Sequence, residues 1–210
     1  MFQVNEATGC PFDGQYLLKE DRQFDIREFG AGTDQSPTQN TVAINSAIQK
    51  ASDEGGGTVV IPAGDFRVYT IRLRSKVNLY LSEDSALHAA KTDIKHSYER
   101  QIGEGGNYDE PEVNPYVGLQ DHGHTYFANS LIYGADLHDV MIYGPGLLDG
   151  RYLNDEGEMQ QVLMGGDPLE PLHRDQAGHQ GEWFGNKAIS LVRCENVALC
   201  DFSIVAGGHF

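Results

Sequence analysis

The 210-residue sequence predicts an all-β repeat fold made of short stacked strands, with one helix near its start. Two observations carry this. β-rich runs separated by Gly, Pro, Ser and Asp turns fill the chain from about residue 58 onward. One strand–corner–strand unit also recurs: residues 131–150, LIYGADLHDVMIYGPGLLDG, lie over residues 188–207, AISLVRCENVALCDFSIVAG. The offset of 57 matches Val140 to Val197, Ile142 to Leu199, Asp139 to Asn196, Leu147 to Ile204 and Gly150 to Gly207. SKVNLYLSEDSAL is an earlier echo, with Val77 and Leu79 alternating inward before a turn and Leu87. Such units bury an apolar face only by stacking on one another.

Taken in order, residues 1–23 read as an N-terminal extension. Within TQNTVAINSAIQKASDEGGG, the apolar residues Val42, Ala43, Ala47, Ile48 and Ala51 fall at helical spacing. The predicted helix covers about 41–51, with Asn40 as N-cap and Gly55 to Gly57 as the stop. It is expected to cover the first coil through Val42, Ala47 and Ile48. Polar insertions at about 100–123 and 151–187 interrupt the repeat, and insertions on such scaffolds collect on one face.

The Gly144-Pro145-Gly146 turn raises the question of a phosphate loop. A dinucleotide fingerprint needs a helix after its glycines, and LLDGRYLNDEGE shows no helical period. The glycines therefore read as a corner between strands.

Composition narrows the function classes. The net charge is −16, from 31 acidic and 15 basic residues, which opposes nucleic-acid binding through a general basic field. An acidic glycan would need a local basic patch. No apolar run reaches the roughly 18 residues of a membrane span. MFQVNEATGC shows neither the charged nor the apolar region of a signal peptide. The 25 glycines are scattered, which points to tight turns and not to a linker. Cys194 and Cys200 are separated by about 20 Å if extended, too far for a bridge. Cys10, Cys194 and Cys200 are read as free thiols.

The strings FDIREFGAGTDQSPTQNTVAINSAIQKASDEGGGTVVIPAGDF, IRLRSKVNLYLSEDSALHAA and SLIYGADLHDVMIYGPGLLDG, followed by NKAISLVRCENVALCDFSIVAGGHF, strongly resemble glycoside hydrolase family 28, the polygalacturonases and related pectin hydrolases. The resemblance covers roughly 24–99 and 124–210 and rests on the order of motifs. The opening string alone is shared with other pectin-lyase-like proteins. It implies a right-handed single-stranded parallel β-helix with an N-terminal capping helix, one domain over 24–210, truncated at the C-terminus. It implies inverting hydrolysis of pectic polysaccharide or oligosaccharide by aspartates expected beyond Phe210, no cofactor, and a monomer. The 210 residues alone are then expected to be inactive. The family works mostly outside the cell, which leaves localisation open between the cytoplasm and a start lying upstream. A β-helix polysaccharide lyase and a non-catalytic glycan-binding module remain alternatives, because a fold does not determine a function.

No catalytic pair is nominated. Asp136, Asp139 and Asp149 sit at glycine corners, where Asp stabilises turns. Asp109, Glu110, Glu112, Asp155, Glu156 and Glu158 lie in insertions and read as solvated loop residues. Asp201 follows a strand end without an evident partner. Three residues are candidates for substrate contact: His124 in QDHGHTY, Trp183 and His209. Trp183 offers an aromatic face to sugar C–H groups or packs a loop. His124 packs a loop or meets substrate, and His209 is a satisfied histidine or points to a cleft. His122 and His124 with His173 and His179 lack familiar zinc spacing, so no metal is assigned. Strand alternation puts Arg72, Arg74 and Lys76 on one side, with Arg67 nearby, either as a solvated face or as a holder of uronate carboxylates.

Overall fold

A computed structural model describes residues 3–4, 11–12, 22–92, 94–95, 100–110, 127–153, 185 and 187–208. Two short antiparallel pairs form sheets of their own: β1 (Gln3–Val4) with β2 (Pro11–Phe12), and, later in the chain, β9 (Ile94–Lys95) with β10 (Arg100–Gln101). All other pairings between these strands are parallel, and one isolated antiparallel bridge joins Lys187 to Gly208.

They form three sheets. Sheet I holds β3 (Gln23–Asp25), β4 (Gly57–Ile61), β7 (Val77–Leu81), β12 (His138–Tyr143) and β15 (Glu195–Cys200). Sheet II holds β5 (Gly64–Val68), β8 (Ser85–Ala89), β13 (Leu147–Asp149) and β16 (Ser203–Val205). Sheet III holds β6 (Ile71–Arg72), β11 (Ile132–Ala135) and β14 (Ile189–Val192). The chain visits the sheets in the fixed order III, I, II, and each circuit pairs with the previous one. This is a parallel β-helix.

Period-2 alternation supplies the core. Val59, Leu79 and Ile142 stack in register on sheet I, and Phe66, Leu87 and Leu148 do so on sheet II. All six are at most 1% exposed. Each such side chain stabilises the fold by about 1.5–3 kcal/mol on burial. The next members of these columns, Leu199 and Ile204, are 48% and 47% exposed.

The internal repeat is real in three dimensions. Val140 pairs with Val197 and Ile142 with Leu199. Asp139 and Asn196 both adopt left-handed conformations, with φ of 60° and 51°, and Asn196 Nδ2 donates to Asp139 Oδ1 at 3.0 Å. The sequence overlay fails one corner later. Leu148, not Leu147, pairs with Ile204, and Gly150 donates its N–H to Val205 O and not to an equivalent at residue 207. The corner 144–146 between β12 and β13 has one residue more than the corner 201–202 between β15 and β16. One residue of slip exchanges the two faces of a strand, so Leu148 enters the core.

The glycines of the longer corner have a packing role. Gly144 has φ +108°, and a Cβ there would fall 2.2 Å from Leu81 O; at Gly146 one would fall 2.4 Å from Ser85 Oγ. Strand β13 follows directly, with no helix. The corner lets one coil lie on the previous one.

Helix α1 spans Pro37–Asp53. Its N-cap is Ser36, and not Asn40 as the sequence suggested. Ser36 and Gln39 form a capping box and Pro37 occupies the first turn, a start signal that outweighs Asn40. Asn40 is instead buried on the packed face, accepting from Gly32 N at 2.9 Å. That face runs through Asn40, Ala43, Ile44, Ala47, Ile48 and Ala51 and packs on η1 (Ile26–Phe29) and strands β3 to β7. Val42 lies off this stripe and is 60% exposed, so its expected place in the core is wrong; Ile44 takes it. The thiol reading also needs correction. Cys194 is free, whereas Cys200 is disulfide-bonded. Their separation along an extended strand rules out only a bridge between the two.

Candidate functional site

A groove of about 630 Å³ lies between the outer side of α1, strand β6 and residues 105–109. Its walls follow from local chemistry. Strand β6 pairs with β11 on one edge, which leaves the other edge needing partners. Side chains of α1 supply them. Thr41 Oγ1 accepts from Tyr69 N at 2.8 Å, Asn45 Oδ1 from Arg72 N at 2.8 Å, and Asn45 Nδ2 donates to Thr70 O at 2.9 Å. Thr41 and Asn45, four residues apart, share one helix face and act as a substitute strand.

The opposite wall is tied down as firmly. Asp109 N donates to Thr70 Oγ1 and Gly106 N to Tyr69 Oη. Tyr108 packs edge-on against Tyr69 with centroids 5.4 Å apart and donates to Ala90 O at 3.0 Å. Burial pushes the Tyr108 hydroxyl well above its ordinary pKa, so it remains a donor.

Arg72 and Arg74 both line the groove. Arg72 is paired with Asp109. Arg74 is exposed and makes no ion pair among the described residues. Lys76 does not join them: β6 ends at Arg72, and Lys76 turns with φ 64°, so alternation stops before it. Arg67 belongs to sheet II and pairs with Glu104.

A second charged cluster crosses three coils on the outward side of sheet II. Strand register places Arg67, His88 and Asp149 side by side. His88 Nδ1 faces Asp149 Oδ2 at 2.8 Å, and Nε2 faces Asp65 Oδ1 at 2.9 Å. Arg151 pairs with the same Asp149. Asp149 is 4% exposed, and the Arg151 guanidinium, with His88, holds its carboxyl far below the usual carboxylate range. A carboxylate so gripped does not serve as a proton donor. Asp136, paired with Arg193, and Asp139, held by His138 and Asn196, are likewise lowered. Asp201 is an exposed corner residue with φ 73°. These acids stabilise corners and join coils.

His124, Trp183 and His209 all lie outside the described residues. Sequence reasoning missed Asn45 and His88. Thr41 and Asn45 are polar residues at i and i+4 beside an apolar stripe, a visible signal. His88 was legible only through the outward parity it shares with Ala86, opposite Leu87.

No family model and no curated protein match the chain. Solved structures do. A provisionally assigned glycosyl hydrolase from Parabacteroides merdae superposes with a TM-score of 0.55 at 18% identity, over 88% of this chain and 67% of its own. A hyperthermoactive exopolygalacturonase from Thermotoga maritima gives 0.56 at 18%, over 89% of this chain and 42% of its own. A family 28 exopolygalacturonase from Yersinia enterocolitica gives 0.52 at 20%, over 87% and 34%. The chain thus spans less than half the length of the two exopolygalacturonases. At these identities the likeness is one of fold: the chain has the coil of these β-helix proteins.

Proposed function

We propose that the chain is part of a glycoside hydrolase acting on pectic, galacturonate-containing polysaccharide or oligosaccharide. One convergence carries the reading. The ordered strings that resemble glycoside hydrolase family 28 fall on a coil shared with two exopolygalacturonases. The coil is taken as right-handed, as crossovers between parallel strands almost always are, with α1 covering its first turn.

Inverting hydrolysis needs a carboxylic acid beside the leaving oxygen and a carboxylate about 6.5–9.5 Å away to activate water. Asp136, Asp139 and Asp149 are held ionised by their partners, which removes each of them as the acid. No acid–base pair is assigned among the described residues, and His124, Trp183 and His209 are the candidates for substrate contact. Arg74 lines the groove, makes no ion pair among the described residues, and is suited to a uronate carboxylate.

The test is an assay of the natural product of the complete reading frame on polygalacturonate. New reducing ends with inverted anomeric configuration are the expected result. An unsaturated product absorbing in the ultraviolet would replace this reading with a lyase. Binding without any cleavage would replace it with a non-catalytic glycan-binding module.

A further inference from the structure

The outward side of sheet II carries another feature that the coil does not require. Tyr152, just past the corner after β13, is 40% exposed. It is the one aromatic among the exposed large apolar side chains of the described residues. Lys91 Nζ lies 4.4 Å from its ring centroid and Arg67 Cζ 5.3 Å. The guanidinium of Arg67 is neutralised by Glu104, which also accepts the backbone N–H of Lys91 at 2.7 Å. Arg151, adjacent to Tyr152, is neutralised by Asp149 yet remains 65% exposed at its side chain. The ammonium of Lys91 makes no ion pair among the described residues.

A ring that stays 40% exposed with an ammonium lying over it, and no carboxylate paired to that ammonium among the described residues, has the parts of an acidic-sugar site. The C–H face of a pyranose packs on an aromatic ring. A carboxylate or sulfate on that sugar gains a charge-assisted bond from Lys91 and further donors from the outer edge of Arg151. The chain as a whole, at −16, repels anions at long range, so an acidic glycan settles only where cations outnumber their partners.

We propose that Tyr152, Lys91 and Arg151, none of which lines the groove beside α1, form a binding site for an anionic sugar residue. This site is independent of whether the protein cleaves pectin, because its readout is binding and not turnover.

Calorimetric titration of the 210-residue chain at low salt tests it with three probes: trigalacturonate, a sulfated carrageenan oligosaccharide, and neutral galactotriose. One or both acidic probes bind and galactotriose does not; which of them binds distinguishes carboxylate from sulfate. Lys91→Gln and Tyr152→Ala each weaken that binding by about tenfold or more, while Tyr152→Phe, which keeps the ring, stays within about twofold of the parent. Arg74→Gln reports any binding of the acidic probes in the groove. Melting curves that match the parent establish that each variant is folded. Failure of both acidic probes to bind, equal binding of galactotriose, or parent-like binding by folded Lys91→Gln and Tyr152→Ala variants would overturn the proposal.

Discussion

His88 Nδ1 lies 2.8 Å from Asp149 Oδ2, joining β8 to β13 on the outward side of the coil. The same carboxylate receives Arg151, and the other ring nitrogen of His88 reaches Asp65 on β5. Three successive coils are thereby linked through one imidazole.

This linkage makes stability depend on acid. The pKa of Asp149 is lowered in the folded protein by Arg151 first, with His88 adding to it. In the unfolded chain it returns to about 3.9. The unfolded state therefore binds the proton first, and the stabilisation is present above about pH 4 and lost as pH falls through the lower folded value. Urea midpoints measured between neutral and strongly acidic pH should decline most steeply below about pH 4. Asp149→Asn should be less stable at neutral pH and show a shallower decline. An unchanged slope in that variant would assign the acid sensitivity elsewhere.

Two glycines with positive φ should respond differently to alanine. At Gly144 the substitution meets Leu81 O as well as an unfavourable backbone, whereas at Gly30 nothing lies within 4 Å of the added Cβ. Gly30→Ala should cost about 1–2 kcal/mol from its conformation alone. Gly144→Ala should cost more, because the two coils must also separate. Chemical denaturation of both variants checks the order.

On α1, two positions six residues apart make a sharp contrast. Ile48 is 1% exposed and Val42 is 60% exposed. Ile48→Asp should lose several kcal/mol, of the order seen for uncompensated buried charge, and aggregate. Val42→Asp should fall within about 0.5 kcal/mol of the parent. Melting temperature and soluble yield separate the two outcomes.

The substitute strand formed by the helix is open to the same treatment. Asn45→Leu keeps approximate size but leaves Arg72 N and Thr70 O without their side-chain partner. A buried unsatisfied group costs about 1–3 kcal/mol. Hydrogen exchange at the Arg72 amide should accelerate markedly. Slow exchange in the variant would show that another group protects this edge.

The strand columns were legible because each coil repeats one inward parity, so Val140, Ile142, Leu79 and Leu87 identify themselves by alternation. The pairing of Asp139 with Asn196 was visible for a related reason: left-handed corners favour short polar side chains. Corner length was not visible. GPGL and DFSI both read as turn followed by apolar residue, and only the backbone path shows that one contains an extra step. The start of α1 was misplaced because Asn40 and Ser36 are both good caps, and the deciding contacts come from Gln39 and from the buried setting of Asn40. The groove escaped notice because its cations and acids come from segments far apart in sequence, such as Arg72 and Asp109.

Past β4, both long segments of the sequence fall between a strand of sheet II and the next strand of sheet III, before β11 and before β14, whereas the β5 to β6 passage takes only Tyr69 and Thr70. The other two edges of the coil are turned in a few residues each time. Length variation thus has a single address on the perimeter. A designer could graft, shorten or exchange segments at that address while leaving the side-chain columns untouched, and natural divergence has the same freedom to alter recognition without rebuilding the scaffold.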